Sequence, residues 1–362
     1  MRNQSPCEPQ IDRIEQMLSR LVSLDSCFPP GDSYPELADL LQELCAPLGG
    51  TAERVEVPQT LWQAPGVHGA RVNLIYRPDL GAADAPEALI YFHTDTAPVG
   101  DGWTRAPLQL TREGDRLYGR GTADMKGTIA SVLDALLRMQ ARGARMAFRP
   151  VLTFCTDEEG GLYPGIRYLA ETRSLPEVML NLNGSAEPRI WAGCLGSMDF
   201  AVTLEGRTAH SGEPDRGINA VEAAAPVLAA MQDLNAALAE RTTDMPPPPW
   251  ADGPLRARLS VTAIHGGDKG SAIPGRCVIT LNRRYLPDET HEEIRTEIEA
   301  RLIAALQGTK VQSWSVEEVG HLPPVSDPDG PATRRWTLAR ADAFGLPETS
   351  FQKYGSGTSS DF

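Results

Sequence analysis

Several features that mark particular classes of protein are scarce or missing in this sequence. No uninterrupted apolar run reaches the roughly 18 residues that a membrane-spanning helix needs, and the start of the chain lacks the apolar core of an export signal. No long basic run occurs, and 48 acidic residues outnumber 34 basic ones, for a net charge of −14. We therefore expect a cytoplasmic protein that binds neither nucleic acid nor a membrane surface.

Paired cysteines are also missing. The six cysteines show no spacing of the zinc-ribbon or redox kind, and in a reducing compartment they are expected to be small buried apolar residues. A metal site, if there is one, should therefore be built from histidine, aspartate and glutamate. The cysteines are Cys7, Cys27, Cys45, Cys155, Cys194 and Cys277.

What the sequence does contain is enough apolar residues, 41% of 362, to form two cores. In the first part, amphipathic helical patterns alternate with apolar runs of strand length, such as residues 72–76, 88–92 and 148–154. Strands that alternate with helices predict an α/β catalytic domain with a mostly parallel sheet. We assign residues 1–195 to this domain.

The pattern changes near residue 196, where alternating apolar residues indicate strands with one buried face. The predicted order of elements through residue 320 is βαββαβ, which is the ferredoxin-like α+β arrangement. Residues 196–320 are therefore predicted to form an inserted second domain. Residues 321–362 are expected to return to the catalytic domain.

Acidic and imidazole side chains follow the predicted core strands of the first domain. His93 and Asp95 leave one strand, and Glu158 and Glu159 leave another, while Asp124 lies in a loop between them. Hydrolysis of an unactivated amide needs a strong nucleophile and a group that stabilises the charge developing on the carbonyl oxygen, and a bound zinc ion supplies both. A separate carboxylate must carry the proton, and these residue types could provide both the metal ligands and that carboxylate. Each acid taken alone could equally be a solvated loop charge.

Three segments resemble the signatures of a known family. They are FHTDTAP (residues 92–98), LYGRGTADMKG (117–127) and TDEEG (156–160). All three are similar to motifs of the co-catalytic zinc amidohydrolases and peptidases, which include acetylornithine deacetylase, succinyl-diaminopimelate desuccinylase, aminoacylase and glutamate carboxypeptidase. Shorter matches in the family's order extend over nearly the whole chain.

The resemblance implies a zinc centre. His93 and Glu187 would bind the first ion and Glu159 the second, with Asp124 bridging them and a cis peptide bond after Asp124. One or two ions per chain are implied, with cobalt or manganese as alternatives to zinc. The family completes its second metal site with a histidine beyond the Gly-Thr-Ser loop, and here the last histidine is His321. From this we expect one tightly bound ion per chain and a second that binds weakly or not at all.

Catalytic roles follow from the same resemblance. Asp95 would orient His93, and Glu158 would be the general base. His210 of the second domain would reach a partner subunit's site and steady the oxyanion, so that the second domain is the contact of a homodimer. Read from the residues alone, His210 could also cap a turn.

The resemblance places substrate-binding residues in the second domain and near the end of the chain. Arg284 would bind a substrate carboxylate, although Arg284 or Arg283 could also be an exposed strand charge. Ser271 stands where the family has asparagine, and Gly357 and Thr358 belong to the Gly-Thr-Ser loop. No arginine directly precedes Gly196 and the serine after it, where relatives that bind acidic acyl groups have one.

Three functions remain open at this point. The first is an amidohydrolase that removes an N-acyl group from an amino acid or a related small metabolite. The second is a metallo-exopeptidase that acts on a dipeptide or a C-terminal residue. The third is a relative that binds a metal and a metabolite but does not turn over.

Overall fold

The computed structural model describes residues 9–64, 66–160, 164–184, 187 and 189–357. The chain divides into two compact units, Met1–Ala186 and Glu187–Phe362. In the first unit, the helices are α1 (Ile11–Ser23), α2 (Tyr34–Cys45), α3 (Gly127–Ala141) and α4 (Pro164–Thr172), and the strands are β1 (Thr51–Glu56), β2 (Val72–Arg77), β3 (Glu87–His93), β4 (Thr111–Glu113), β5 (Arg116–Tyr118), β6 (Arg149–Cys155) and β7 (Val178–Asn181).

A five-stranded sheet in the order β1-β2-β6-β3-β7 organises the first unit. The strand β3 pairs in parallel with β6 and β7, whereas β2 pairs antiparallel with both β1 and β6, so the sheet is mixed. Helices α1, α2 and α3 pack their apolar stripes against it, because their buried residues recur at helical spacing. The shared core includes Leu21, Leu41, Leu74, Leu133 and Phe154.

The second unit contains α5 (Ala224–Leu238), α6 (His291–Leu306) and α7 (Pro331–Phe344), with strands β8 (Arg189–Cys194), β9 (Gly196–Glu205), β10 (Ala209–His210), β11 (Arg258–Gly266), β12 (Ala272–Ile273), β13 (Arg276–Tyr285), β14 (Ser313–Leu322), β15 (Val325–Ser326) and β16 (Gln352–Ser356). A three-stranded sheet has the order β15-β8-β16. The strands β10 and β12 form a short antiparallel ribbon.

The predicted ferredoxin-like arrangement is confirmed. The elements β9, α5, β11, β13, α6 and β14 follow one another, and the strands form an antiparallel sheet in the order β11-β13-β9-β14. Residues along β9 and β13 alternate between buried and partly buried, because helices α5 and α6 cover one face of the sheet. The strand β14 lies at an edge of this sheet.

No helix in the described ranges is both long enough and apolar enough to cross a membrane.

Replacement of Leu281 by alanine tests this core. Leu281 is fully buried in the inner strand β13, so its truncation removes apolar contacts and leaves a cavity. We expect a loss of about 2–5 kcal/mol in the free energy of unfolding, measured by urea denaturation. Ile303→Ala on the exposed side of α6 is the control, since Ile303 is 61% exposed, and it should change stability much less. Equal effects of the two substitutions would contradict the described burial.

Candidate active site

The pairing of β3 with β6 places the acidic loops at one edge of the sheet. These parallel strands end together, with His93 opposite Cys155. The backbone N–H and the hydroxyl of Thr94 both donate to the Cys155 carbonyl oxygen, each at 2.8 Å, and tie the two strand ends to each other. The loop that begins at Asp95 and the loop that carries Glu158 therefore leave the sheet side by side.

The imidazole of His93 is fully buried between two carboxylates. Its Nε2 lies 2.7 Å from Oδ1 of Asp124, and its Nδ1 lies 3.5 Å from Oδ1 of Asp95. Burial alone lowers the pKa of His93, but hydrogen bonds to Asp124 and Asp95 and the charges of Asp95 and Glu158 outweigh it. The pKa of His93 is therefore raised well above its usual value. The raised pKa shows that the surroundings of the ring are strongly negative.

The carboxylate of Asp95 contacts both the His93 ring and the backbone of Glu159. Its Oδ2 accepts a hydrogen bond of 2.8 Å from the backbone N–H of Glu159, while its Oδ1 is buried and faces Nδ1 of His93. Burial, and then the charge of Asp124, raise the pKa of Glu159. Asp95 thus fixes the His93 ring relative to the Glu159 backbone.

The turn at residues 122–126 presents Asp124. The Asp124–Met125 peptide bond is cis, as the family resemblance implies. Lys126 follows it with a fully buried side chain, whose Nζ donates to the Leu24 carbonyl oxygen at 2.9 Å. Burial lowers the pKa of Lys126 to about 8. In the sequence, Lys126 is marked only as part of the motif at residues 117–127, and its burial is visible only in the structure.

Asp157 fixes the start of the loop that carries Glu158. It is the one non-glycine residue with a positive φ, 63°, in the described part of the chain, and its side chain is fully buried. Its carboxylate accepts hydrogen bonds of 2.7 Å from Nε of Arg71 and from the hydroxyl of Tyr34. The Arg71 guanidinium also lies over the rings of Phe28, Tyr34 and Trp62, at 5.3, 5.2 and 4.4 Å from their centroids.

The first unit therefore brings together five of the predicted residues: His93, Asp95, Asp124, Glu158 and Glu159. Imidazole and carboxylate groups suit zinc and similar divalent ions. The carboxylates that face both ring nitrogens of His93, together with the nearby glutamates, fit a cation in this place better than a structural ion pair. The donor set thus fits a divalent metal ion.

The remaining predicted residues belong to the second unit. The carboxylate of Glu187 forms an ion pair with Arg189, and its backbone carbonyl accepts from Arg340. Gly357 follows β16, and Thr358 lies outside the described residues. The metal-binding role of Glu187 and the substrate roles of Gly357 and Thr358 stay predictions.

His210 and Ser271 lie together on the β10–β12 ribbon. His210 is opposite Ala272, and the N–H of Ser211 donates to the carbonyl oxygen of Ser271 at 3.0 Å. The N–H of Gly212 donates to Nδ1 of His210 at 3.1 Å. In the neutral ring, Nε2 is then the protonated nitrogen, which can donate to an oxyanion.

In a single chain, Arg284 and the β10–β12 ribbon lie at opposite ends of β13. Arg284 stands opposite Ser197 at one end of β13, whereas the ribbon adjoins the other end, where Arg276 is opposite Glu205. From Arg276 to Arg284 the strand rises about 27 Å at roughly 3.4 Å per residue. Arg284 is partly buried and donates to Asn282, whereas the neighbouring Arg283 is fully buried and paired with Glu289.

Comparison with known proteins gives consistent matches. A model of the peptidase dimerisation domain of M20 proteins matches residues 193–310. Acetylornithine deacetylase from Klebsiella pneumoniae (strain 342) is 32% identical over 267 residues, which cover 72% of this chain and 64% of that protein. The matched region thus spans slightly less than two thirds of the deacetylase.

Solved structures share the fold at low identity. The di-peptidase Dug1p from Saccharomyces cerevisiae superposes with a TM-score of 0.73 at 16% identity, covering 97% of this chain and 85% of that one. An M20 family metallo-carboxypeptidase from Sulfolobus solfataricus gives a TM-score of 0.68 at 16% identity, covering 96% and 86%. These likenesses show a shared fold, and the chain contains an M20-type peptidase dimerisation domain and is homologous to acetylornithine deacetylase over 72% of its length.

Proposed function

We propose that this chain is a metal-dependent amidohydrolase that removes the N-acyl group from an amino acid or a related small metabolite. The observation that carries the proposal is the position of Glu158 and Glu159 beside the buried imidazole of His93 and its partner Asp124, at the edge where β3 and β6 end. The 32% identity with acetylornithine deacetylase favours deacylation over peptide cleavage. Dipeptides are therefore the comparison substrates.

A divalent ion would be held by His93, Asp124 and Glu159, with Glu187 as a further predicted ligand. Zinc suits this mixture of imidazole and carboxylate, and cobalt or manganese could replace it. Such an ion would polarise the amide carbonyl and lower the pKa of a water molecule. Asp95 keeps His93 in place for this purpose.

Glu158 has the role of proton carrier. Its carboxylate accepts a proton from the attacking water as oxygen bonds to the amide carbon, and passes that proton to the leaving nitrogen as the carbon–nitrogen bond breaks. The products are a carboxylate and a free amine. Glu159 cannot share this role efficiently, because its backbone is fixed to Asp95 and its own carboxylate is assigned to the metal.

The network around Asp157 positions Glu158. A buried carboxylate is costly unless it is paired, and here the pairing comes from Arg71, directly before β2, and from Tyr34, the first residue of α2. Because Asp157 directly precedes Glu158 and has an unusual backbone conformation, loss of its partners should disturb the direction of the Glu158 side chain. Arg71, Tyr34 and Asp157 are thus positioning residues.

A substrate-binding role for both Arg284 and His210 implies two chains. One small substrate cannot span the length of β13, so a single chain cannot bring both residues to it. A symmetric homodimer built on the second unit would supply His210 from the partner subunit. The match to a dimerisation domain supports this arrangement.

Glu158→Gln tests the proton-carrier role. It should lower kcat for N-acyl amino acids by about 100-fold or more and leave metal content unchanged, because only the base is lost. Glu177→Gln, at an exposed position before β7, is the matched control and should keep full activity. Near-normal turnover in Glu158→Gln would show that another group is the base. Cleavage of dipeptides but not of N-acyl amino acids by the parent protein would favour an exopeptidase.

Arg71→Met tests the positioning network. It leaves the buried Asp157 carboxylate without its cation, so the free energy of unfolding should fall by about 3–5 kcal/mol. Adding Asp157→Asn should restore part of that loss, because the uncompensated charge is removed. Arg77→Met is the control, since Arg77 is 41% exposed and its ion pairs with Glu53 and Glu87 are both 3.7 Å long. A loss no larger than that of the control would contradict the network's role.

Mixing two inactive variants tests the two-chain site. Glu158→Gln keeps an intact His210, and His210→Ala keeps an intact Glu158. If His210 acts across the dimer, a mixed dimer has one complete site. Random pairing then restores about a quarter of the parent activity, because half of the dimers are mixed and each has one working site. No recovery after mixing, with subunit exchange verified by mass spectrometry, would place His210 in the site of its own chain.

A further inference from the structure

A second group of potential metal ligands lies in the ferredoxin-like part of the second unit. His291 is the first residue of α6, and Glu318 and His321 lie on the edge strand β14. One ligand atom from each of the three residues lies within 4.8 Å of the other two. The Nε2 of His291 is 2.7 Å from Oε2 of Glu318, and the two imidazole rings meet edge to face with their centroids 5.0 Å apart.

An irregularity in β14 brings Glu318 and His321 to the same side. Residues three apart on a regular strand point to opposite faces. The register of β14 against β9 shifts between Glu318 and Gly320, so the strand contains one extra residue, Val319. With this bulge, Glu318 lies opposite Phe200 and His321 opposite Met198, and these partners are both core residues. Bulges often redirect side chains in this way at functional sites.

Tyr285 contacts the His321 ring through a hydrogen bond and by stacking. Its hydroxyl lies 2.7 Å from Nε2 of His321, and the two rings stack with centroids 6.0 Å apart. The Tyr285 ring reaches β14 by passing over β9 at Gly196, where a Cβ atom would lie only 2.2 Å from it. When the hydroxyl accepts from Nε2–H, Nδ1 of His321 carries the lone pair that a metal needs. Ligating histidines are usually held in this way by a group on the other ring nitrogen.

We propose that His291, Glu318 and His321 form a second site for a divalent transition metal of the zinc type, separate from the catalytic residues. Two imidazoles and one carboxylate are a ligand set that zinc accepts, with a fourth position left for water. Around zinc, ligand atoms lie about 3.4 Å apart, so the His291–Glu318 pair, now 2.7 Å apart, must separate by about 0.7 Å, and any wider pair, at 4.8 Å or less, must close by no more than about 1.4 Å. His291 and His321 are exposed enough to rotate this far.

The site would tie the start of α6 to the edge strand of the sheet. Glu318 supplies one negative charge at the position, and α6 carries two more acidic residues, Glu292 and Glu293, in its first turn. Helix α6 already packs on this sheet. A cation bound to His291 of α6 and to Glu318 and His321 of β14 would therefore fasten the edge strand to that helix. Metal binding at this place should therefore stabilise the second unit without contributing to the chemistry at Glu158.

The test uses the full chain with its catalytic ligands disabled by His93→Ala and Asp124→Asn. After removal of metal with a chelator, zinc is titrated by calorimetry and cobalt by its visible absorption. We expect about one equivalent to bind in this background. His321→Ala and, separately, His291→Ala should abolish that equivalent, and Tyr285→Phe should weaken it by about 10- to 100-fold without changing the stoichiometry. The bound ion should also raise the melting temperature.

His265→Ala is the matched control, because His265 is an exposed histidine on β11 of the same sheet. It should keep the equivalent of metal. Circular dichroism of each variant shows that the fold is retained, and Glu318→Gln gives a second, near-isosteric probe of the site. The proposal would be overturned if the His93→Ala, Asp124→Asn protein bound no metal. It would also be overturned if His321→Ala and Glu318→Gln left the binding unchanged, and the three residues would then be a polar cluster only.

Discussion

The gathering of carboxylates around one buried imidazole is the constraint on which the candidate active site depends. Carboxylates held close together repel one another, and the buried His93 ring lies between the buried carboxylate of Asp95 and the half-exposed carboxylate of Asp124. The protein reaches this arrangement through the parallel pairing of β3 and β6, which ends both strands at the same edge. A bound cation is the simplest way to offset the remaining negative charge, and that requirement links the fold to the proposed chemistry.

Much of this site could be predicted from the sequence because its parts are local. His93 and Asp95 follow a strand, Glu158 and Glu159 follow another, and the βαββαβ order is visible in the alternation of apolar residues. The support beneath Glu158 could not be predicted in this way. Arg71 and Tyr34 meet Asp157 only through tertiary packing, and a positive φ at an aspartate leaves no mark in a single sequence.

The same limit applies in the second unit. The extra residue at Val319 decides which side of the sheet Glu318 and His321 occupy, and a regular strand would have separated them. The separation of Arg284 from His210 also became visible only with the register of β13. That separation turns a family expectation about partner subunits into a geometric requirement of this chain, if both residues contact one substrate.

The most direct test of the central claim is anomalous diffraction from crystals of the zinc-loaded protein, recorded on both sides of the zinc absorption edge. We expect an anomalous peak within about 2.0–2.2 Å of Nε2 of His93 and of a carboxylate oxygen of Asp124. An actively hydrolysing preparation whose crystals show no peak beside His93 and Asp124 would contradict that claim.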